Sequence, residues 1–276
     1  MPIPILGTYP RPSTSGRDGP PKETAMRMTE RLRNRDGGPL LGTWVKIPAL
    51  ETVELLARAG FDFVVIDLEH SPMTLESAYR TVVVAQGLGV HALVRIPDRG
   101  AGQVQPVLDT GVDGVLVPHV LDGADADRVV RSMLFPPNGS RGLGTTSRAG
   151  AWGLDPTPDY LRRGDADTLR IPQLEDLSAL EDAESVLDVP GVNAVFLGMG
   201  DLTLSTGRTA DDPALTALTD RLLAAAKERD IPVGTAVRTA SAARVAADRG
   251  FGYVMVGNDA QIFGSAAAEL CTAARG

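Results

Sequence analysis

The chain has 276 residues, of which 43% are hydrophobic and 22% are charged, and its formal net charge is −8. This acidic balance excludes a dedicated nucleic-acid binder, because phosphate recognition needs a basic face. The one cysteine, Cys271, excludes an intrachain disulfide and a cysteine-based zinc site. The sequence has neither a leader-like start nor an apolar run of about 18 residues, so we expect a cytoplasmic protein without a membrane partner.

Residues 1–38 differ from the rest of the chain because proline, glycine, serine and threonine are concentrated there. A segment of this composition buries little apolar surface and predicts an extended N-terminal arm. Within the arm, the amphipathic stretch from Glu23 to Arg35 is compatible with a short helix that leads into the domain. We therefore divide the chain into an arm, residues 1–38, and a single domain, residues 39–276.

From residue 41 onward, short apolar runs alternate with helical patterns. The runs are rich in β-branched residues without strict polar alternation, which is typical of strands covered on both faces. They occupy residues 41–47, 63–68, 91–96, 114–120, 169–174, 194–199, 231–237 and 253–257. Eight strands, each followed by a helix, predict an α/β fold of the (β/α)8 TIM barrel type. A doubly wound open sheet is the alternative, but residues 41–50 lack the glycine-rich turn that binds a nucleotide.

Polar side chains gather where the predicted strands end. They are Asp67, Glu69, His70, Arg95, His119, Gln173, Glu175 and Asp201. Because catalytic groups of such barrels project from the C-terminal ends of the strands, we expect them on one rim. Glu175 and Asp201 follow adjacent strands, and two carboxylates with open positions suit Mg²⁺, Mn²⁺ or Co²⁺. The alternative for each acid is a solvated loop residue or a helix N-cap.

Two basic residues of this rim are candidates for catalysis. His70 is a candidate proton carrier because imidazole titrates near neutral pH, although a structural histidine is the alternative. Arg95 is a candidate to hold a carboxylate or stabilise an enolate, unless it forms an ion pair with the acids of strand two. His119 is left without a role. Lys46 is the one lysine in a predicted strand and the candidate for a Schiff base, but a metal explains more of the rim.

These residues, in this order, resemble the HpcH/HpaI aldolase family, the metal-dependent class II pyruvate aldolases. The resemblance runs from about Gly42 to Gly257. Its most specific segments are Gly60–His70 (GFDFVVIDLEH), Val94–Pro97, Leu108–Gly111, Pro136–Gly142, Gln173–Glu175 and Gly198–Leu202. It implies a lyase that makes or breaks a carbon–carbon bond between pyruvate, as its enolate, and an aldehyde, with 4-hydroxy-2-oxo acids as substrates.

The resemblance also implies roles for individual residues. Glu175 and Asp201 bind the divalent metal, with Gln173 lining the same pocket. His70 serves proton transfer, directly or through a metal-bound water, and Arg95 contacts the oxygen that becomes the enolate. Asp67 is a further catalytic residue, and Asp109 resembles the acid that partners the catalytic histidine. The residues expected around the substrate are Trp44, Arg141, Gly198, Met199 and Gly200.

The resemblance also predicts an assembly. The family's usual form is a hexamer, a trimer of dimers with exchanged C-terminal helices, so we expect a homo-oligomer with Asp109 near a subunit contact. The sequence departs from the family pattern at two places around the carboxylate pocket. The segment before Asp201 reads Gly198-Met199-Gly200, where family members often have Gly-Pro, and Asp176 follows Glu175, where threonine is usual. Two other functions stay open. One is an enzyme for oxaloacetate or a CoA thioester, and the other is a non-catalytic metabolite-binding barrel.

Overall fold

The computed structural model describes residues 26–34 and 38–275, and within them eight parallel strands close into a barrel. The strands are β1 (Leu40–Val45), β2 (Phe63–Asp67), β3 (His91–Arg95), β4 (Gly114–Val117), β5 (Leu169–Leu174), β6 (Val195–Leu197), β7 (Val233–Val237) and β8 (Tyr253–Asn258). Each strand pairs with its neighbours in sequence, and β8 pairs with β1. The predicted (β/α)8 barrel is confirmed, and each predicted strand overlaps an observed one.

One helix precedes β1, and the other helices follow the strands in turn. They are α1 (Met28–Arg33), α2 (Leu50–Ala59), α3 (Leu75–Gly87), α4 (Ala101–Asp109), α5 (Gly123–Met133), α6 (Thr157–Asp167), α7 (Leu177–Glu181), α8 (Ala183–Leu187), α9 (Met199–Thr206), α10 (Pro213–Glu228), α11 (Ala240–Arg249) and α12 (Asp259–Arg275). The side chains of Thr74, Asp122 and Thr239 accept first-turn N–H groups and so fix where α3, α5 and α11 begin. In these described ranges, no helix is both long enough and apolar enough to cross a bilayer.

The apolar side chains form two layers because alternate residues of each strand point into and out of the barrel. On β2, Phe63 packs inside the barrel, whereas Val64 packs against the surrounding helices. The interior is filled so closely that a Cβ on Gly234 would lie 2.1 Å from the ring of Tyr253. The barrel is therefore a packed core whose open end is left for the site.

Helix α1 covers the end of the barrel at which the strands begin. Its Met28 and Leu32 are each 1% exposed and pack with the interior side chains. Nη2 of Arg31 lies 2.5 Å from Oδ1 of Asp62, just before β2, and ties the helix to this end. A helix is present within the expected stretch, over Met28–Arg33, and packed structure begins before the boundary predicted after residue 38. Residues 1–25 and 35–37 of the predicted arm lie outside the described residues.

We predict that Leu32→Ala lowers the free energy of unfolding by about 2–4 kcal/mol, because a buried leucine leaves a cavity as well as losing apolar contacts. Leu55→Ala on α2 is the matched control, since Leu55 is 67% exposed and its removal should change stability little. Urea denaturation of both variants gives the comparison. Equal losses would show that α1 is not part of the core.

Candidate active site

Charged side chains meet at the C-terminal ends of β2 to β6, which form a single rim because the strands are parallel. Asp67 is the last residue of β2 and Arg95 the last of β3. Glu175 directly follows β5, and Asp201 lies in the first turn of α9, close after β6. The structure thus places these four predicted residues at the same end of the barrel.

Asp67 is fully buried and receives two cationic side chains. Its oxygens accept from Nε and Nη2 of Arg95 at 2.9 and 2.7 Å, and Nζ of Lys46 lies 2.8 Å away. The backbone N–H groups of Glu69 and His70 also donate to Oδ1. Burial raises the pKa of this carboxyl, but the hydrogen bonds and charges of Arg95 and Lys46 outweigh burial and lower the pKa to about 2.

The guanidinium of Arg95 is shared with a second acid and lies over an aromatic ring. Its Nη1 is 2.9 Å from Oε2 of Glu69. The contact is not aligned as a hydrogen bond, so this oxygen has no hydrogen-bond donor among the described residues. Cζ of Arg95 lies 4.1 Å from the ring centroid of Trp44, whose ring meets Phe196 edge to face. Trp44, predicted to border the site, thus lies beneath Arg95 as an aromatic floor.

His119 joins two acids across the rim. Its Nδ1 lies 2.8 Å from Oε1 of Glu175, and its Nε2 lies 3.0 Å from Oε1 of Glu69. Its backbone N–H donates to the same oxygen of Glu175 at 2.7 Å. The φ angle of His119 is 57°, in the left-handed region that few non-glycine residues adopt. The conformation that turns this imidazole toward both acids is therefore a locally strained one.

Glu175 is buried but, unlike Asp67, contacts no Lys or Arg among the residues that the structure describes. Its Oε2 accepts from Nε2 of Gln173. Burial raises the pKa of Glu175 above its ordinary value. Hydrogen bonds from His119 and Gln173 and the charge of the imidazole lower it, while the negative charge of Glu69 raises it further. The overall effect is a raised pKa, so a cation beside Glu175 would stabilise its ionised carboxylate.

A glycine allows the pocket wall to approach Glu175. A Cβ on Gly198 would lie 2.8 Å from Cβ of Glu175 and 3.2 Å from Nε2 of Gln173, so a side chain there would displace both residues. Gln173 is 1% exposed, and its Oε1 has no hydrogen-bond partner among the described residues. A buried acceptor without a donor is costly unless a ligand or water supplies one. The pocket therefore presents an acceptor for a bound molecule.

The start of α9 adds backbone donors to the rim. The N–H of Leu202 donates to the carbonyl of Gly198, so the N–H groups of Met199, Gly200 and Asp201 precede this helical bond. Free N–H groups and the partial positive charge of a helix start together favour an anion. The carboxylate of Asp201 is exposed in the same turn. This segment can thus face both a cation and a substrate carboxylate.

His70 lies farther out than the other groups. Its side chain is 59% exposed, and its Nε2 is 3.8 Å from Oε2 of Glu69. The backbone is fixed, because its N–H donates to Asp67 and its carbonyl accepts from Nζ of Lys46 at 3.2 Å. The imidazole therefore stands on a fixed backbone at the rim, where a substrate from solvent would meet it.

Asp109 and Arg141 are not brought to the rim of their own chain. Asp109 ends α4, and its Oδ1 accepts from Gln105. Arg141 is 4% exposed, with Cζ 4.5 Å from the ring centroid of Phe135, which follows α5 closely. The C-terminal ends of barrel helices lie at the face where strands begin, opposite the catalytic rim. Within one chain, these two predicted site residues lie away from the others.

The donors of the rim fit a divalent cation without forming a complete cage. In residues 26–34 and 38–275, no group of three or more His, Cys, Asp or Glu side chains is arranged to hold a metal ion by itself. Glu175 offers a buried carboxylate, and Oε1 of Gln173 is a buried acceptor that has no hydrogen-bond donor among the described residues. Mg²⁺, Mn²⁺ and Co²⁺ accept such oxygen-rich sites with positions completed by water and substrate. The residues present therefore fit a cation of this kind.

Comparison with known proteins decides the family. The family model for HpcH/HpaI aldolase/citrate lyase matches residues 40–266. The chain belongs to this family. The family to which the sequence segments pointed is thus confirmed.

The relatives and a solved structure agree with this assignment. A 2-dehydro-3,6-dideoxy-6-sulfogluconate aldolase of Pseudomonas putida is 30% identical over 89% of this chain and 96% of its own length. A hydroxypyruvate/pyruvate aldolase of Paraburkholderia phytofirmans is 30% identical over 84% of this chain and 91% of its own. An HpcH/HpaI aldolase/citrate lyase family protein of Burkholderia cenocepacia J2315 gives a TM-score of 0.82 at 30% identity, over 90% of this chain and 98% of that one. The named relatives are aldolases, and this family member is a carbon–carbon lyase.

Two side chains central to the rim received no role from the sequence, namely Glu69 and His119. Their positions at strand ends are visible in the sequence, but their contacts depend on the conformation of the loops that follow. In particular, the hydrophobic pattern of the sequence does not predict the positive φ of His119. The ion pair considered as the alternative for Arg95 is present, and it involves both Asp67 and Glu69.

We predict that Asp67→Asn destabilises the fold by about 3–5 kcal/mol near pH 7, because it leaves Arg95 and Lys46 without their shared anion. The folded pKa of Asp67 is about 2, below the unfolded value near 3.9. Its ionisation therefore stabilises the fold fully above about pH 4, and this stabilisation is lost as pH falls through 2. Urea denaturation at several pH values should show the difference between wild type and variant shrinking below pH 4.

The control for this experiment is Asp127→Asn, which removes an exposed acid paired with Arg131 on α5. Exposed ion pairs contribute little, so its stability should follow wild type across the same pH range. An Asp67→Asn protein as stable as this control at pH 7 would contradict the anchoring role of Asp67.

Proposed function

We propose that this lyase is a divalent-metal-dependent aldolase for 4-hydroxy-2-oxo acids, which it cleaves to pyruvate, through its enolate, and an aldehyde, or forms from them. The observation that carries the proposal is a fixed cation, Arg95, on the same rim as the buried carboxylate Glu175, whose pKa is raised. Enolate formation places negative charge on an oxygen, and preorganised positive groups stabilise that charge. The similarity to a hydroxypyruvate/pyruvate aldolase supports the same substrate class.

We assign the cation to Glu175 and Asp201, with Gln173 lining its pocket, and expect Mg²⁺, Mn²⁺ or Co²⁺. When bound, such a cation supplies Lewis acidity toward the carboxylate and 2-oxo oxygens of the substrate. Glu175 is held in place by bonds from Gln173 and the backbone of His119, whereas Asp201 is exposed. Glu175 would position the cation, and Asp201, in the first turn of α9, would be its second carboxylate ligand.

Substrate binding follows from groups that are already oriented. Two bonds to Asp67 fix the guanidinium of Arg95, and the ring of Trp44 excludes water beneath it. In the proposed reaction, Arg95 stabilises the enolate oxygen from this fixed position. The free N–H groups of Met199 and Gly200 receive the substrate carboxylate at the start of α9.

Proton transfer is assigned to His70. In the cleavage direction the C4 hydroxyl gives its proton to the imidazole while the C3–C4 bond breaks and the aldehyde leaves. The electron pair of that bond remains on C3 as the enolate, and protonation at C3 gives pyruvate. Lys46 serves this chemistry indirectly. Its amine is occupied by Asp67 and by the carbonyl of His70, whereas a Schiff base would need it free and neutral.

We predict that EDTA abolishes the cleavage of a 4-hydroxy-2-oxo acid and that Mn²⁺, Co²⁺ or Mg²⁺ restores it, because Glu175 and Asp201 bind the required cation. Pyruvate release, coupled to lactate dehydrogenase, measures the rate. Glu175→Gln should stay inactive after the metal is restored. Glu76→Gln, at an exposed position on α3, is the matched control and should behave as wild type.

Several outcomes would contradict this assignment. Full activity in verified metal-free protein would reject metal dependence. An adduct trapped on Lys46 by borohydride and pyruvate would assign a Schiff-base mechanism instead. Turnover of oxaloacetate without cleavage of any hydroxy-oxo acid would favour a decarboxylase, and turnover of neither would favour a binding protein.

We further propose that a second copy of the chain contributes Asp109 to the rim in a homo-oligomer, expected to be a hexamer. Asp109 ends α4 at the face opposite its own rim, where it is partly exposed beside Gln105. It can therefore reach a His70 only from a neighbouring subunit. A carboxylate that bonds the imidazole orients the ring and raises its basicity.

We predict that Asp109→Asn lowers turnover about tenfold or more while metal affinity stays normal, the scale expected when a catalytic histidine loses its orienting partner. Steady-state kinetics and light scattering on the same sample measure rate and assembly together. Asp127→Asn on α5 serves as the exposed-acid control. Unchanged turnover in an intact oligomer would leave Asp109 as an ordinary surface acid.

A further inference from the structure

We propose that Asp259, the first residue of α12, is a positioning residue for the proton carrier His70 and acts on it through Lys46. The inference rests on the proposed function, because it concerns the proton transfer that this function assigns to His70. Among the described residues, the hydrogen bonds of the Asp259 carboxylate go to backbone N–H groups and not to the proposed metal ligands. The effect passes from the end of β8, across the end of β1, to the loop after β2.

The carboxylate of Asp259 is buried, and three backbone N–H groups donate to it. Its Oδ1 accepts from Lys46 at 2.9 Å and from Ala260 at 2.8 Å, and its Oδ2 accepts from Ile47 at 2.9 Å. Hydrogen bonds of this kind stabilise an ionised carboxylate that burial would otherwise disfavour. Two of the three donors directly follow β1. The carboxylate therefore joins the end of β8 to the end of β1.

The pairing of β1 with β8 is irregular at this end, so the two strands need a further connection. Their register shifts between Gly42 and Trp44, and such a shift interrupts the regular ladder. Side chains make the bonds there instead. The hydroxyl of Thr43 donates to a carbonyl of β8 at 3.0 Å, and Asp259 binds the two N–H groups that follow β1. The backbone position of Lys46 therefore depends on Asp259 as well as on strand pairing.

Lys46 connects this junction to the loop that carries His70. Its Nζ lies 2.8 Å from Oδ2 of Asp67 and donates to the carbonyl of His70 at 3.2 Å. The N–H of His70 donates to Oδ1 of Asp67, so both backbone polar groups of His70 are bound. Its imidazole is 59% exposed, and Nε2 lies 3.8 Å from Glu69, beyond hydrogen-bond distance. The position of the ring is therefore set through the backbone that Lys46 and Asp67 hold.

Proton transfer is sensitive to small displacements of this ring. A general base must come within about 2.6–3.2 Å of the atom whose proton it takes, and a misplacement of about 1 Å can lower the rate about a hundredfold. The side chain of Lys46 is 25% exposed, so water would replace its contact with His70 if its backbone moved. Asp259 opposes that movement through its two bonds to the residues after β1. It thus affects the reaction without contacting the substrate.

Two reactions that form the same pyruvate enolate distinguish a positioning role from a purely structural one. Cleavage of a 4-hydroxy-2-oxo acid needs a base for the proton of the C4 hydroxyl. Decarboxylation of oxaloacetate breaks the bond from C3 to the carboxylate carbon, releases CO2 and leaves the electron pair on C3 as the enolate. It has no hydroxyl proton to remove, and the later protonation at C3 is common to both reactions. A displaced His70 should therefore slow the cleavage and spare the decarboxylation.

Asp259→Asn is the first variant, because the amide nitrogen of asparagine cannot accept the second N–H group. We expect its kcat for cleavage to fall about tenfold or more. Its decarboxylation rate, and its Kd for Mn²⁺ from isothermal titration calorimetry, should stay within about twofold of wild type. Lys46→Met tests the same connection if the first variant does not fold, and should show the same pattern. Lys46→Arg keeps a cation with donors for both acceptors and should recover most of the rate.

Two controls match these variants. Asp212→Asn changes an acid that accepts N–H groups in the first turn of α10, and Lys227→Met changes an exposed lysine of the same helix. Both should cleave, decarboxylate and bind Mn²⁺ as wild type does.

A double variant tests whether Asp259 acts through His70. In a His70→Gln background the imidazole is absent, so adding Asp259→Asn should change kcat for cleavage by no more than about twofold. This result and the Kd for Mn²⁺ decide the question if wild type does not turn over oxaloacetate. Losses that multiply in the double variant, a weakened Mn²⁺ affinity, or full cleavage activity in folded Asp259→Asn and Lys46→Met would overturn the inference and leave the proposed function standing. A wild-type protein that cleaves no 4-hydroxy-2-oxo acid would reject the proposed function itself, and the inference with it.

Discussion

The buried carboxylate of Asp67 joins the first three strands at the rim, because it binds Lys46, just after β1, and Arg95, at the end of β3. The same carboxylate accepts backbone N–H groups from the turn that carries Glu69 and His70. One anion thus sets the position of two cations and the start of a loop. Removing only one partner of such a buried network is costly, since it leaves charge uncompensated in a medium of low dielectric. The geometry of the rim therefore depends on Asp67.

The two fully enclosed carboxylates of the rim differ in their neighbours, and their pKa shifts differ in sign. Asp67 has two permanent cations and a pKa of about 2. Glu175 accepts from the backbone N–H of His119 and the amide of Gln173, with the imidazole of His119 and the acid Glu69 nearby, and burial leaves its pKa raised. When the surroundings shift the pKa values of two acids in opposite directions, the two acids are suited to different roles. Asp67 is a structural anion that is already neutralised, whereas Glu175 contacts no Lys or Arg among the described residues and would be stabilised by a cation.

Hydrophobic patterning was sufficient to predict the barrel and the strand ends, since uniformly apolar runs between helical repeats have few other folds. It also placed Asp67, Arg95, Glu175 and Asp201 on one rim, because parallel strands end together. The contacts within the rim needed more than a pattern. The imidazole of His119 depends on a left-handed backbone in a loop, and loop conformation is set by tertiary contacts. In contrast, topology alone was enough to place Asp109, at the C-terminal end of α4, on the face opposite the rim.

An aromatic series links the rim to the rest of the core. The ring of Trp44 meets Phe196 at a centroid distance of 6.0 Å, Phe196 lies 6.4 Å from Tyr253, and Tyr253 lies 6.0 Å from Phe63. The guanidinium of Arg95 stacks over the indole ring of Trp44, so this side of the ion pairs is covered by the ring and not by water. Water-excluded surroundings strengthen electrostatic interactions and reduce the reorganisation needed when charge develops. The packing that stabilises the barrel interior is thus also what allows a single arginine to act as a fixed positive group at its mouth.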